Sequence, residues 1–266
     1  MSAEKASATA VGDGLRQRFD VLVALARSDM GMRYGRGRIK VLKWVLDPIA
    51  ALGIYLLLIA LVLDRSDDAV GLSLACAIVP FQLVITTTLN ALQAVNLRGS
   101  IIVNMGFPRM LIPLSSVVTE TVAVLASLTL LPLMMIVYGI PPTAAVLWLP
   151  LAFAITIALA AAIAYPAALV GAWYPEMVPF AVSLLRALFF LAPGIVALDA
   201  VTGIASDLMP FNPLTGIFEV FRHALLYGDS PLAWQLLVPL AFTAALLAIG
   251  VPLYRREQAQ LAKLIG

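Results

Sequence analysis

Residues 145–172 read AVLWLPLAFAITIALAAAIAYPAALVGA, and these 28 consecutive positions contain no Asp, Glu, Lys or Arg. A helix needs about 20 mainly apolar residues to cross a hydrocarbon core that is roughly 30 Å thick. Pro150 and Pro166 are compatible with such a helix, because neighbouring helices can satisfy the carbonyls that proline leaves free. The stretch therefore predicts a membrane-spanning α-helix.

The composition of the whole chain indicates the same environment. Of its 266 residues, 62% are hydrophobic and 12% are charged, and the mean hydropathy is +1.00. Soluble domains carry roughly 25% charged residues, and so few charges cannot cover this much apolar surface in water. These numbers exclude a soluble globular domain, a disordered chain, a coiled coil and a nucleic-acid-binding domain. The single cysteine, Cys76, excludes a disulfide framework and a cysteine-based metal cluster.

Six stretches are long and apolar enough to span a bilayer, and none of the ten-residue alternating segments of a β-barrel is present. The predicted spans are residues 44–63, 71–95, 113–138, 145–172, 178–198 and 231–254. The predicted fold is therefore an all-α integral membrane protein with six transmembrane helices. It also has an N-terminal amphipathic interface helix and external re-entrant or cap helices between spans five and six.

The basic residues predict the orientation of the spans. Nine of the 17 Lys and Arg residues precede the first span or open it, and with six spans 14 of the 17 fall on one face. Connectors rich in Lys and Arg stay in the cytoplasm. We expect a multi-pass protein of the plasma (inner) membrane with both termini cytoplasmic. Residues 1–43 would form a cytoplasmic N-terminal segment, 44–254 the six-span domain and 255–266 a cytoplasmic tail.

The segment 13–30 has the pattern of an amphipathic helix that is too narrow to span the membrane. Its apolar positions recur at helical spacing: Leu15, Phe19, Leu22, Val23, Ala26 and Met30. Arg16, Asp20 and Arg27 occupy other faces. We expect a helix that lies in the membrane interface, either as an anchor alone or as a collar for a cytoplasmic partner.

Residues 192–229, the outer segment, are too long for a tight connector and too rich in proline and glycine for a straight helix. Asn212 and Pro213 form a good N-cap and first-turn pair. Glu219 precedes Arg222 and His223 by three and four residues, which is within pairing distance on a helix. The segment is interpreted as a re-entrant cap that could gate the bundle, or as an amphipathic surface hairpin.

Two ionisable residues, Glu120 and Arg186, lie well inside predicted spans. At about 1.5 Å rise per residue, Glu120 lies roughly 10 Å and Arg186 roughly 12 Å from the cytoplasmic ends of their spans. Charges inside a membrane usually face the bundle interior and find partners. The matching depths predict an intramembrane charge pair between them, unless each is satisfied independently or snorkels to the nearer interface.

The chain lacks the motifs of an energy-converting or hydrolytic enzyme. It has no Gly-x-x-x-x-Gly-Lys-Ser/Thr phosphate loop, no His-Glu-x-x-His and no Gly-x-Ser-x-Gly sequence. His223 is the only histidine, and Asp67 and Asp68 fall in a short polar connector. The sequence predicts neither a catalytic residue nor a metal site, so nucleotide-driven work would need a motor on another chain.

A basic run follows the amphipathic segment. Arg33, Arg36, Arg38 and Lys40 precede the first predicted span. Such runs usually fix topology and contact anionic lipid. The alternative is a substrate-entry rim that receives an anionic headgroup or a diphosphate.

Four passages, in this order around six spans, carry a resemblance to a known family. The first passage is residues 24–48, with Arg27, Asp29, Arg33, Tyr34, Trp44 and Pro48, and the second is residues 104–115, with Asn104, Phe107, Pro108, Arg109 and Pro113. The third is residues 174–177, which read Tyr-Pro-Glu-Met where the family often has an Arg-Asp pair. The fourth is residues 190–222, with Pro193, Gly194, Asn212, Pro213 and Arg222. With them the chain resembles permeases of the ABC-2 class. The resemblance is strongest to the polysaccharide-exporting branch, which moves O-antigen, teichoic acid or galactan chains on polyprenyl diphosphate carriers.

The resemblance implies a homodimer of this chain docked on two copies of a separate ABC ATPase, which would bind ATP and Mg²⁺ in place of this chain. It implies an interface helix at 13–30, a coupling helix within 100–110 and an external gate after span five. The implied coupling residues are Ser100, Asn104, Phe107, Pro108 and Arg109. The implied gate residues are Pro193, Gly194, Asn212, Pro213 and Arg222.

Two other functions are compatible with the same sequence features. One is an ABC-2 permease that exports a drug, a lipid or a small metabolite on the same fold and motor. The other is a membrane protein without a motor, such as an assembly scaffold or a lipid-modifying enzyme. A co-purifying ATPase separates the second from the first, and transport assays separate the substrates.

Overall fold

The computed structural model describes residues 2–34, 69–98, 108–195 and 201–265, together with residue 198 and isolated positions between 46 and 57. Within these ranges the regular structure is helical. The α-helices are α1 (Ser2–Tyr34), α2 (Val70–Leu97), α3 (Leu111–Ser127), α4 (Leu130–Tyr138), α5 (Leu149–Trp173), α6 (Val178–Leu191), α7 (Ile204–Leu208), α8 (Pro213–Arg222) and α9 (Ala233–Ile265). Short 3₁₀ turns occur at Ala144–Trp148, Pro175–Met177 and Met209–Phe211, and a π-helical turn occurs at His223–Tyr227.

Four helical stretches are long and apolar enough to cross a membrane. They are Val70–Leu97, Leu111–Tyr138, Ala144–Trp173 and Ala233–Gln258. They coincide with the spans predicted at 71–95, 113–138, 145–172 and 231–254, which are confirmed as membrane-length helices. The span predicted at 44–63 lies outside the described residues apart from isolated positions. The six-span count therefore stays a prediction.

The span predicted at 178–198 is shorter in the structure. Helix α6 ends at Leu191 after 14 residues, and its length of about 21 Å is less than the hydrocarbon thickness of roughly 30 Å. Ala192, with φ −88° and ψ 154°, is extended. Proline disfavours the helical conformation of the residue before it, so Pro193 ends the helix at this position.

Helix α2 is the centre of the bundle, and its most extensive contact is with α5. The contact is close because Gly171 of α5 has no side chain: a Cβ there would overlap the backbone carbonyl of Leu92. Asn96 adds a side-chain bond from its Nδ2 to the Gly171 carbonyl, at 2.8 Å. Small residues allow such close approach between helices in a membrane, and this contact fixes the position of α2.

Helices α1 and α8 lie at opposite ends of the bundle, and each carries charged side chains that bond to other parts of the chain. Helix α1 packs along α3, and the predicted interface helix at 13–30 is the central part of a longer helix. Helix α8 is enclosed by α2 and α9, and all nine of its residues from Leu214 to Arg222 are buried. The amphipathic helix and the outer segment thereby become parts of the packed structure.

Candidate functional site

The connector between α2 and α3, residues 98–110, is held at its first end by a buried arginine. Arg98 follows the last turn of α2 and forms an ion pair with Asp29 of α1. Its other terminal nitrogen donates to the Ile112 carbonyl at 3.4 Å. Because an ion pair with further hydrogen bonds is directional, it fixes α1 against the start of the connector.

Helix α1 is attached to α3 by further contacts on the same face. The hydroxyl of Ser115 lies 3.4 Å from the Asp29 carboxylate, and that of Thr119 lies 3.4 Å from the Ala26 carbonyl. Each hydroxyl also lies 2.8 Å from a carbonyl of its own helix, to which it donates. Ala26 is buried in this contact, whereas Leu15 and Phe19 of the predicted apolar stripe are exposed. One face of α1 therefore contacts the bundle, and an apolar face further along it is left uncovered.

The second end of the connector is attached to the last helix. Arg109 donates through Nη1 to the Gln258 carbonyl at 2.7 Å, and the Tyr254 hydroxyl donates to the Arg109 carbonyl at 3.2 Å. Tyr254 is fully buried and its ring meets that of Tyr165 edge to face, with centroids 5.6 Å apart. The connector is thus tied to α1 at one end and to α9 at the other.

Most of the residues predicted to couple to the ATPase or to form the basic rim lie outside the described residues. Of the predicted coupling residues, Pro108 and Arg109 are described, whereas Ser100, Asn104 and Phe107 lie outside. In the predicted basic rim, the backbone of Arg33 belongs to α1, but its side chain is outside the described part. Arg36, Arg38 and Lys40 lie entirely outside the described part. The coupling and entry roles of these residues stay predictions.

A cavity of about 270 Å³ opens beside the Asp29–Arg98 pair, with Asn90, Gln93 and Ser116 among its lining residues. Asn90 donates through Nδ2 to Oε1 of Glu120 at 2.5 Å. Glu120 is 1% exposed, so its intramembrane carboxylate faces the bundle interior as predicted.

The structure does not bring Glu120 and Arg186 together within one copy of the chain. Glu120 faces α2 and the Asn90 amide, whereas Arg186 is exposed on α6. The two depths match, but depth alone does not determine which face of each helix meets the other. The predicted pairing is not formed among the described residues of this chain.

A second polar cluster, which we call the outer lock, joins the outer segment to α2. Its members are Ser73, Pro193, Leu198, Glu219 and Arg222. Arg222 is 0% exposed; it pairs through Nη1 with Glu219 Oε1 at 2.7 Å. Its Nη2 donates to the Pro193 carbonyl at 2.7 Å, and its Nε to the Ser73 hydroxyl at 3.0 Å. Glu219 Oε1 also accepts from the Leu198 N–H at 3.2 Å. The predicted Glu219–Arg222 pair is confirmed and joins three parts of the chain.

The other predicted gate residues surround this cluster. Asn212 caps α8 by accepting from the Leu214 N–H at 3.0 Å, and its Nδ2 donates to the Leu188 carbonyl at 2.9 Å. Pro213 occupies the first turn of α8. Gly194 is buried, and a Cβ there would overlap the Phe189 ring. The start of α8 is therefore tied to the end of α6.

His223 turns away from Glu219, although the sequence places both within pairing distance. Its Nδ1 lies 2.5 Å from Asp229 Oδ1, and its Nε2 lies 3.1 Å from the Gln235 amide nitrogen. A neutral imidazole that donates from Nδ1 and accepts at Nε2 satisfies both contacts. No group of three potential metal ligands occurs among the described residues.

Sequence reasoning missed the partners that complete both clusters. Asp29 and Arg98 are 69 positions apart, and Ser73 and Arg222 are 149 apart. Asp29 did fall within a passage that carried the family resemblance, but nothing in its neighbourhood pointed to Arg98. The one available signal was a lone charge at the end of an apolar stretch, since such charges need a partner once buried.

Comparisons with known proteins give relatives that match nearly the whole chain, although no protein-family model matches it. An O-antigen export system permease protein RfbA of Klebsiella pneumoniae is 22% identical over 249 residues, 93% of this chain and 95% of that protein. A second K. pneumoniae protein of the same name is 23% identical over 249 residues, with the same coverage. A protein of that name from Myxococcus xanthus is 22% identical over 248 residues, 92% of this chain and 95% of its own length.

These relatives bear directly on the family resemblance carried by the sequence motifs. Each match leaves out only a small part of either chain. The predicted resemblance is confirmed: the chain is similar, over nearly its full length, to permease proteins of O-antigen export systems.

Proposed function

We propose that this chain is the membrane-spanning subunit of an ATP-driven ABC exporter. It would move a lipid-linked polysaccharide from the cytoplasm across the plasma membrane, while a separate subunit hydrolyses ATP. The near-full-length similarity to O-antigen export permeases carries the proposal. The four membrane-length helices fit it.

The anchored connector supports a mechanical link to that ATPase. Residues 98–110 are tied to α1 through Arg98 and Asp29 and to α9 through Arg109 and Gln258. A displacement of the connector would therefore be transmitted to both helices, since ion pairs and hydrogen bonds at its ends resist independent movement. Two copies of the ATPase, with bound ATP and Mg²⁺, would supply that displacement on the cytoplasmic face.

A homodimer would cover surface that one copy leaves exposed. Helix α6 carries Arg186, Phe180 and Phe190 on exposed positions, next to exposed leucines. A charged side chain at membrane depth seldom faces lipid, because the loss of hydration is costly. A second copy packed on α6 would remove Arg186 from lipid.

Two apolar cavities of a single copy are poorly suited to carry a sugar polymer. Two cavities, of about 640 and 410 Å³, are lined almost entirely by apolar side chains, Met135, Phe153 and Leu225 in the first and Leu159, Ile163 and Phe242 in the second among them. A hydroxyl-rich sugar would lose its hydrogen bonds to water there without replacement. A polymer would be better accommodated along a surface shared by two subunits.

The two ends of this path would lie at the segments predicted from the sequence. Arg33, Arg36, Arg38 and Lys40 would receive the diphosphate of the polyprenyl carrier at the cytoplasmic rim. The outer segment would act as the external gate, held by the contacts of the outer lock. This arrangement requires both termini in the cytoplasm and an inner-membrane location, as the distribution of basic residues predicts.

Affinity purification of the full-length chain in mild detergent, followed by identification of bound proteins, tests the motor. We expect an ATPase with Walker motifs in a one-to-one ratio. Reconstitution with that ATPase should then give ATP-dependent movement of a polyprenyl-diphosphate-linked polymer. Transport of a drug, lipid or small metabolite in place of the polymer would favour the other ABC-2 permease function. Full activity without any ATPase would overturn the proposal.

A quadruple alanine variant tests the entry rim. Replacing Arg33, Arg36, Arg38 and Lys40 together should weaken binding of the lipid-linked diphosphate and slow export. Arg18→Ala, an exposed arginine earlier in α1, is the matched control for the loss of positive charge. Unchanged carrier binding in the quadruple variant would leave the run with a topological role alone.

A further inference from the structure

The outer lock concentrates two opposite charges where water is excluded. Glu219 and Arg222 lie one turn apart on α8, and both are buried, at 4% and 0% exposure. Among the described residues, the bonds that they make outside their own pair go to other parts of the chain: to the Leu198 N–H, the Pro193 carbonyl and the Ser73 hydroxyl. One charge pair thus ties the chain after α6 to α8 and to the first turn of α2.

Stability alone does not account for such a pair. Buried ion pairs contribute little more to folding than well-packed apolar residues of the same size, because desolvation offsets their attraction. Directional bonds, in contrast, select a single position for the groups they hold. Here those groups are backbone atoms of Pro193 and Leu198, in the part of the chain that would have to move for the outer end to open.

Opening of this segment and entry of water are coupled by the same bonds. If the chain after α6 moves away, Arg222 and Glu219 lose two backbone partners while they remain charged. A buried charge without partners is strongly unfavourable, so water must replace the lost bonds. Water is therefore excluded from the Glu219–Arg222 pair in the closed state and contacts the pair in the open state.

We propose that Glu219, Arg222 and Ser73 are positioning residues that hold the outer segment closed, so that their release opens and hydrates the outer end of the bundle. This inference rests on the proposed export function, in which the outer segment is the gate. It predicts that any state engaged in export breaks the bonds to Pro193 and Leu198.

The chain carries a natural reporter of this event. Cys76 is one turn after Ser73 on α2, is fully buried, and lies with its Sγ 3.7 Å from the Phe221 carbonyl. It is the only cysteine of the sequence. A thiol must meet water as the thiolate to react with a maleimide, so its labelling rate measures hydration beside the lock.

The test is the rate at which a charged, membrane-impermeant maleimide labels Cys76 in the full-length chain in right-side-out membrane vesicles. The unaltered chain should label slowly. Ser73→Ala, which removes one hydrogen bond to a charged group, should raise the rate about tenfold. Glu219→Gln, which leaves Arg222 without its counter-charge, should raise it further. Ser183→Ala, which removes a hydroxyl bonded to Pro179 on an exposed face of α6, should leave the rate unchanged.

Glu219→Gln removes a buried charge and can impair folding, so Ser73→Ala is the decisive variant because it keeps the ion pair. Monodisperse elution in gel filtration selects the variants that are compared. Labelling of Ser73→Ala at the rate of the unaltered chain would overturn the lock. If Ser73→Ala labels faster but reconstituted transporter exports no polymer on ATP addition, the lock is supported and the proposed export function fails.

Discussion

The Asp29–Arg98 ion pair gives the sharpest prediction about the connector. Both side chains are largely excluded from solvent, at 14% and 4% exposure, so solvent screening should weaken their attraction little. Asp29→Asn leaves the Arg98 guanidinium buried without its counter-charge, and breaking such a pair costs about 3–5 kcal/mol. We expect a loss near the lower end of this range, because Arg98 keeps its bond to the Ile112 carbonyl.

The double variant separates the pair from its surroundings. Arg98→Met keeps an unbranched apolar side chain and leaves the Asp29 carboxylate beside the Ser115 hydroxyl. If the two charges interact directly, Asp29→Asn combined with Arg98→Met should cost less than the sum of the single variants. The difference should be about 1–3 kcal/mol. The measurement is a double-mutant cycle on the unfolding midpoint in detergent, with Arg18→Met, an exposed position of α1, as the control.

The same variants test whether the pair transmits motion. In transporter reconstituted with its ATPase, folded single variants should hydrolyse ATP but move less polymer per ATP, because α1 no longer follows the connector. The Arg18→Met control should keep the ratio of the unaltered chain. If the loss of stability in the double variant equalled the sum of the two single losses within about 0.5 kcal/mol, a direct interaction between Asp29 and Arg98 would be refuted. If destabilised variants moved as much polymer per ATP as the unaltered chain, the mechanical role of the ion pair would be refuted.

Three further substitutions and one control substitution test the packing that holds the two clusters. Gly171→Ala places a methyl group against the Leu92 carbonyl, and it should lower stability by about 3 kcal/mol in thermal unfolding. Gly14→Ala, in open space on α1, should raise stability by about 0.5–1 kcal/mol; an equal loss in both would contradict the close contact. Asn212→Ala removes the cap of α8 and should cost about 1–2 kcal/mol, seen as a lower unfolding midpoint; an unchanged midpoint would exclude the capping role. Tyr254→Phe removes one hydroxyl bond to the connector and should cost about 1 kcal/mol, whereas a larger loss would indicate that the ring itself had moved.

The sequence by itself determined that the helices are suited to a lipid environment, and it determined which contacts form between near neighbours in the chain. Four uncharged or nearly uncharged stretches were recognised as membrane-length helices, because length and hydropathy alone decide whether a helix can span a bilayer. The Asn212 cap and the Glu219–Arg222 pair were also predictable. Both depend on neighbours within three residues, and helical geometry brings such neighbours together whatever the rest of the chain does.

Tertiary structure alone decided which distant residues meet. The rise per residue predicted equal depths for Glu120 and Arg186, but a helix can also rotate about its axis, and its packing sets that rotation. Glu120 consequently faces Asn90, and Arg186 faces outward. The Asp29–Arg98 pair and the bond from Arg222 to the first turn of α2 join residues far apart in sequence. Such contacts exist only after the helices have packed, because the close approach of their backbones determines which polar side chains come within bonding distance.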